Sequence, residues 1–428
     1  MFSNRIYKLI MKLKVEVARN GENTLLFNGK YIYSKYNPSK DAEKFIENEV
    51  DFDAKGYLLV GLGLGYHLES LLNLASNKNI LLLLLDIEEM NVFKKHSRNK
   101  QIICQKTVKL IKAGDKIQEY LDYQVILPNV WLKAISEDHP YFTILEDIKI
   151  RQMSYNATAQ LLKSNFLSNI QNRNLYVNVL KNTFENKSAC LISGGPSLNE
   201  TLKWLQKAKN KSFILSVGSS LKTLLMNGVV PDAIIITDPS INVVKQIEDS
   251  QYKGLLFYLS TANNEMSKIH VGPKILLFQQ GYFLAEQYVL KNESPLMETG
   301  GSVATTAISL IEYLGFKKLF LFGQDLGFKG KRTHSNTSTS GIEIAESFNF
   351  RKILSNNGEM INTTPNLSTY HRWIERKARK SKMKIFNTAK EGAKIENVPM
   401  IKQDIFVEYL QSLSDCQFNQ VLENKLKN

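Results

Sequence analysis

The amino-acid sequence predicts an α/β protein built from two Rossmann-like α/β domains, the central one a mainly parallel sheet with helices on both faces. Three observations carry this expectation. An apolar segment at residues 57–60 runs directly into Gly61-Leu-Gly-Leu-Gly65 and then into leucines at helical spacing. From residue 188 onward, short apolar segments alternate regularly with helical ones. And 428 residues, 43% of them hydrophobic, exceed what one core usually serves.

The elements follow in order. Residues 24–27 and 30–34 flank Asn28-Gly29, a dipeptide suited to a type I′ hairpin turn because both of its residues tolerate positive φ. A helix is expected from 41 to about 50, then the strand 57–60, the glycine turn, and a helix carrying Leu68, Leu71, Leu72 and Leu74. The next strand, 80–85, ends on Asp86 with Glu88 and Glu89 beside it, where an acidic group can bind a ribose hydroxyl. Such glycines serve close helix-to-strand packing equally well, so both readings of the turn stay open. Residues 101–104 and 123–127 are expected to complete this small sheet, and 141 to about 184 reads as mostly helical. Strands are then expected at 189–192, 213–217, 233–237, 255–259, 275–278, 319–322 and 384–386, with a helix over 303–314 closed by Gly315. The expected organisation is an N-terminal hairpin and Rossmann-like domain (1–140), a helical linker (141–187), a central domain (188–396) and a helical C-terminal tail (397–428).

Composition narrows the function classes. The longest uninterrupted apolar run, 80–85, is far short of the roughly 20 residues that cross a bilayer. Residues 1–20 scatter Arg5, Lys8, Lys12, Lys14 and Arg19 among apolar positions without the pattern of a secretory signal, so mature, cytoplasmic sequence is expected. Cys104, Cys190 and Cys416 show no metal-ligand or redox spacing and read as free thiols in a reducing compartment. A net charge of +14 favours phosphorylated ligands or an acidic macromolecule. The basic stretches 94–100 and 376–384 lack interleaved aromatics, which argues for solvated helix faces and against nucleic acid.

In a parallel sheet the ligand crevice lies outside the carboxyl ends of the strands, so the segments just after each strand are where chemistry is expected. The first is Ser193-Gly194-Gly195-Pro196-Ser197-Leu198-Asn199-Glu200, with a tight glycine turn and a predicted Ser197/Glu200 capping box at a helix start that favours phosphate. The next strand ends in Val217-Gly218-Ser219-Ser220 and the one after in Thr237-Asp238-Pro239, where a carboxylate can bind a hydroxyl, hold a cation or cap the following turn. Gly300-Gly301-Ser302-Val303 opens the helix over 303–314, and the 319–322 strand runs into Gly323-Gln324-Asp325-Leu326.

With these segments, Gly228 to Asp232, Thr333-His334 and the stretch 387–395, the sequence resembles the motility accessory factor (Maf) flagellin glycosyltransferases; the region 33–38 and the Gly61 turn also look like that family. The resemblance implies transfer of a nonulosonic acid, pseudaminic or legionaminic, from its CMP-activated form to Ser or Thr of flagellin, with no further cofactor and no metal. The family's central domain is similar to bacterial sialyltransferases. By that likeness Gly194, Gly195, Pro196 and Ser197, with Gly301, Ser302 and Val303, form the cytidine and phosphate cradle; Gly218, Ser219 and Gln324 also belong to the donor site, and Asp325 lies beside the nucleotide. Sialyltransferases carry asparagine where this chain has Gly194 and Gly218, so side-chain amide contacts to the donor are missing or come from elsewhere. For the base that accepts the acceptor proton, His334 is the first candidate, with His371 and the carboxylate Asp238 as alternatives. Three other readings compete: a pterin pyrophosphokinase-like enzyme using ATP and Mg²⁺ held by Asp238 and Asp325, a methyltransferase built on Gly61 to Gly65 and Asp86, and a non-catalytic flagellar accessory protein.

Overall fold

The computed structural model describes residues 13–52, 54–111, 123–135, 139, 141–172, 175–329 and 350–427. The chain divides into two compact units, Met1–Met153 and Ser154–Asn428.

In the first unit, β1 (Leu13–Val17), β2 (Asn23–Phe27) and β3 (Lys30–Tyr31) form an antiparallel sheet. Asn28 and Gly29 both have positive φ, 48° and 76°, as a type I′ turn requires. The hairpin is thus present, with β1 as a third strand that sequence reading omitted. Helix α1 (Pro38–Glu49) starts three residues before the expected Asp41, because Asn37 accepts the Lys40 amide and Pro38 suits the first helical position. Then come β4 (Gly56–Val60), α2 (Tyr66–Leu74), β5 (Asn79–Leu83), α3 (Ile87–His96), β6 (Val108–Ile111), β7 (Gln124–Ile126) and α4 (Asn129–Ala134). The strands form a parallel sheet in the order β6-β5-β4-β7. The segment expected as a strand at 101–104 is instead a 3-10 turn, Lys100–Cys104, that buries Ile102 alone, and the ladder partner of β5 is Val108–Ile111. Leu58 and Val60 of β4 join one apolar cluster while Tyr57 and Leu59 join another. Both faces of the sheet are therefore covered, as parallel strands demand.

Helix α5 (Phe142–Gln171) contains the boundary between the units and ends well before the expected limit near 184. It gives way to β8 (Leu175–Tyr176), which pairs with a strand of the large sheet. The alternation then runs β9 (Ser188–Ile192), α6 (Leu198–Leu205), β10 (Phe213–Val217), α7 (Leu221–Met226), β11 (Ala233–Ile236), α8 (Val244–Ile247), β12 (Leu255–Leu259), α9 (Asn264–Ile269), β13 (Lys274–Gln279), α10 (Phe283–Asn292), β14 (Leu296–Met297), α11 (Val303–Tyr313) and β15 (Lys318–Phe322). A hairpin of β16 (Arg351–Leu354) and β17 (Met360–Thr363), helix α12 (Pro365–Lys380), β18 (Lys384–Asn387) and the tail helices α13 (Gln403–Gln411) and α14 (Phe418–Lys427) complete the unit.

The large sheet has nine strands among the described residues, in the order β14-β13-β12-β11-β10-β9-β15-β18 with β8 beside β13, and every pairing is parallel. Ala189 and Leu191 of β9 pack in one cluster, Cys190 and Ile192 in another, so helices cover both faces. The rings of Phe184, Phe213 and Phe316 stack with centroids 4.9–5.4 Å apart, and Phe418 of α14 tilts against the first two at 5.6 Å, fastening the tail. From β9 the chain winds through β10 toward β14, then returns to β15 on the other side of β9 and continues outward to β18. The winding direction thus reverses between β9 and β15, and a doubly wound sheet opens its ligand crevice at that point.

Candidate functional site at the sheet switch point

The carboxyl ends of β9 and β15 meet through the two segments singled out in the sequence. The Ser193 amide donates to Phe322 O and the Gly195 amide to Gly323 O, each at 2.8 Å, and the Ser193 hydroxyl donates to Gln324 Oε1 at 2.8 Å. Glycine is required twice here. A Cβ on Gly195 would lie 2.1 Å from Asp325 Oδ2 and 2.4 Å from Gly323 O, and one on Gly323, whose φ is +63°, would lie 2.1 Å from Ser193 O.

Asp325 sits 6% exposed across the start of α6, its Oδ2 accepting from the Ser197 amide at 3.2 Å and the Ser197 hydroxyl at 2.9 Å. Burial pushes this carboxyl up to about 6, against the opposing pull of the two Ser197 bonds. The predicted Ser197/Glu200 capping box is absent: Ser197 is in the αR region with no cap bond, because its hydroxyl is committed to Asp325. The amides of Leu198, Asn199 and Glu200 turn back to Gly195 O, Pro196 O and Ser197 O. The α6 start, expected as an open phosphate cradle, therefore spends its donors inside the chain. Gly194 and Pro196 lie in the same turn, Gly194 buried and Pro196 and Gly195 beside it at the crevice.

The start of α11 differs. Ser302 Oγ accepts the Thr305 amide and Thr305 Oγ1 accepts those of Gly300 and Ser302, a reciprocal cap, while Val303 and Ala304 amides have no acceptor among the described residues. Gly301 has φ +92° and is exposed, with Tyr370 of α12 against it; a Cβ on Gly300 would strike Trp373. Beside Tyr370, His371 Nε2 contacts Lys394 O at 2.8 Å, and the neighbouring Ala393 amide donates to Asp325 O at 2.7 Å. This relay of contacts links the α11 start to the β15 end. It also holds the His371 ring on a backbone carbonyl, with Glu375 Oε2 3.7 Å from its other nitrogen.

The remaining site residues fall elsewhere along the edge. Gly218 and Ser219 form a 3-10 turn at the end of β10. Asp238, exposed at the end of β11, accepts the Ser240 amide at 2.8 Å and so caps the turn that follows. Asp238 and Asp325 are not brought together: β10 and β9 lie between β11 and β15, a separation of about 14 Å at ordinary strand spacing. His334 lies outside the described residues.

In the first unit the glycine turn is filled by the protein itself. Glu89, fully buried, accepts from the amides of Leu62 (2.7 Å), Gly63 (3.1 Å), Leu85 (2.7 Å) and Asp86 (3.1 Å), while the Leu64 amide donates to Tyr33 Oη at 3.1 Å. Cβ atoms on Gly61, Gly63 and Gly65 would meet Trp131, Tyr33 and Phe93. Asp86 caps α3, reciprocally with Glu89. Of the two open readings, close packing accounts for each of these glycines. The role of Glu89 was within reach of the sequence, three residues past the cap Asp86; that of Tyr33, some 30 residues away, was not.

Fold and site together define a doubly wound parallel α/β protein with polar segments meeting at its switch point. Residues 164–331 match the family described as 6-hydroxymethylpterin diphosphokinase MptE-like, a stretch containing most of the motifs from which the Maf resemblance was drawn. An uncharacterized protein of Treponema pallidum (strain Nichols) is 24% identical over 215 residues, covering 45% of this chain and 73% of that protein. The structure of a MAf glycosyltransferase from Magnetospirillum magneticum AMB-1 is similar over 99% of this chain and 74% of its own, with 16% identity and a TM-score of 0.49. No described helix is long and apolar enough to cross a membrane.

Proposed function

We propose that the chain is a glycosyltransferase that moves a nonulosonic acid, pseudaminic or legionaminic, from its CMP-activated form to Ser or Thr of flagellin. The observation that carries this reading is the switch-point crevice, walled by Ser193, Gln324 and Asp325 and linked to a helix start with two unspent amides, Val303 and Ala304. Nucleotides bind in such crevices, and amides at a helix start stabilise a phosphate. The motif resemblance supplies the sugar and the acceptor.

In this reading the donor phosphate lies at Gly301 to Ala304 rather than at α6, whose amides are engaged. Loss of CMP from a keto-acid sugar builds positive charge on the sugar and negative charge on the leaving phosphate, and the α11 amides and dipole stabilise the latter. The acceptor hydroxyl gives its proton to His334 or to Asp238, whose Oδ2 has no partner among the described residues. Asp325 holds the α6 start against the β15 end and borders the nucleotide. The test is incubation of purified protein with CMP-nonulosonate and flagellin, read by intact mass. A flagellin mass increment of one nonulosonate residue per site is expected; unchanged flagellin with intact donor overturns the proposal.

The family match over 164–331 favours a second reading, diphosphoryl transfer from ATP. That chemistry needs Mg²⁺ bridged between phosphates and carboxylates, and the strand separation of Asp238 from Asp325 weighs against the pair named for it.

A further inference from the structure

We propose that Gln246, on the short helix α8, is a nucleobase-binding residue at the carboxyl edge of the large sheet, on the β10 side of the switch point. The observation starts at Gly218: an ideal Cβ there would lie 2.1 Å from Gln246 Oε1 and 2.9 Å from Ile236 Cγ1. The glycine leaves the volume at the end of β10 to the amide of a residue 28 positions later. Val243 and Ile247 are buried on either side of Gln246 and anchor α8 against the Gly218–Ser220 turn. Yet the half-buried Gln246 amide has no hydrogen-bond partner among the described residues. At the carboxyl edge of a parallel sheet, where ligands bind, this half-buried amide can exchange water for a ligand, and it holds that position at the expense of a side chain at 218.

A second amide lies on the same edge of the sheet. Gln324 is 7% exposed; one end of its amide is engaged by the Ser193 hydroxyl and the other has no partner among the described residues. Gln246 follows β11 in the chain and packs against Gly218 at the end of β10, while Gln324 is at the end of β15, with β9 between, so the β10 and β15 ends lie about 10 Å apart. A side-chain amide offers a donor and an acceptor on one planar group, the complement of the paired donor and acceptor on a base edge. Ser220, fully buried beside Gly218 with a hydroxyl that has no partner among the described residues, adds a further polar group at this edge.

The inference rests on the donor being a CMP-sugar, and its test separates the two. Calorimetric titration of the full-length protein with CMP and with ribose 5-phosphate, which lacks the base, is compared between the unsubstituted chain and Gln246→Ala. The variant is expected to lose about three- to tenfold in CMP affinity, the effect of one neutral hydrogen bond, with ribose 5-phosphate binding unchanged. Gly218→Ala, which pushes the amide aside, is expected to reproduce the loss. Equal CMP affinity in Gln246→Ala overturns the inference and leaves the proposed function standing. An equal loss for both ligands also overturns it, since the residue would then shape the crevice without reading the base. No CMP binding by the unsubstituted chain overturns the proposed function, and the inference with it.

Discussion

Asp325 shows how one side chain sets the character of the site. Its carboxyl is buried and raised to about 6, so the folded chain holds a proton there through a range in which the unfolded chain has released it. The sign follows: this group's contribution to stability is greatest below the ordinary carboxyl pKa and is lost as pH rises through about 6. At most about 3 kcal/mol is involved. Asp325→Asn keeps an acceptor for Ser197 and abolishes the titration. The melting temperature of the variant relative to the unsubstituted protein should therefore climb between pH 4 and pH 7; a constant offset would contradict the assignment. Asp325→Ala, which also releases Ser197, is expected to abolish most donor turnover. The segments around residues 193–197 and 323–326 were legible in the sequence as site material because glycines and an acid follow apolar strands. That the acid satisfies the helix start of the other segment was not, since the bond spans 128 positions.

Two elements with similar sequence signatures behave differently. The Gly61–Gly65 turn and the α11 start both join a strand to a helix through glycine, but Glu89 fills the first while in the second the Val303 and Ala304 amides have no acceptor among the described residues. Glu89→Ala would strand three buried amides and the half-buried one of Asp86, and at roughly 1 kcal/mol or more for each buried unpaired donor a loss of about 3–5 kcal/mol is expected in urea denaturation. For α11, Ser302→Asp retains a good cap and sets a negative charge where the phosphate is proposed to lie. Stability should hold within about 1 kcal/mol while CMP affinity falls at least tenfold at low salt; unaltered affinity would move the phosphate elsewhere.

At the scale of the molecule, the proposed chemistry resides in the Ser154–Asn428 unit, and the same proposal gives the Met1–Met153 unit acceptor binding or support of the fold. The first unit contributes a glycine turn whose Leu62, Gly63 and Leu64 amides are engaged internally, consistent with the proposal that phosphate contacts come from the second. With neutralisation by amides, EDTA should leave sugar transfer largely intact. Transfer that disappears with EDTA and returns with Mg²⁺ would favour the diphosphoryl-transfer reading instead.

The α/β class, the parallel alternation from β9 to β15 and the glycine and acid segments at the strand ends were determined by the sequence itself, because apolar periodicity and turn chemistry are local properties. Short edge elements escaped it. The two-residue strands β8 and β14 carry too few residues for a period, and β8 exists only because β13 offers it a partner. The 101–104 segment has an apolar strand's composition, yet packing favoured Val108–Ile111 as the ladder partner of β5. Only the tertiary structure decided which helix starts are open, which are closed by a carboxylate, and that Gln246 occupies the space Gly218 leaves. Those outcomes depend on side chains tens to more than a hundred positions apart meeting at one edge of a sheet, and the order of strands that brings them there is a long-range property of the packed core.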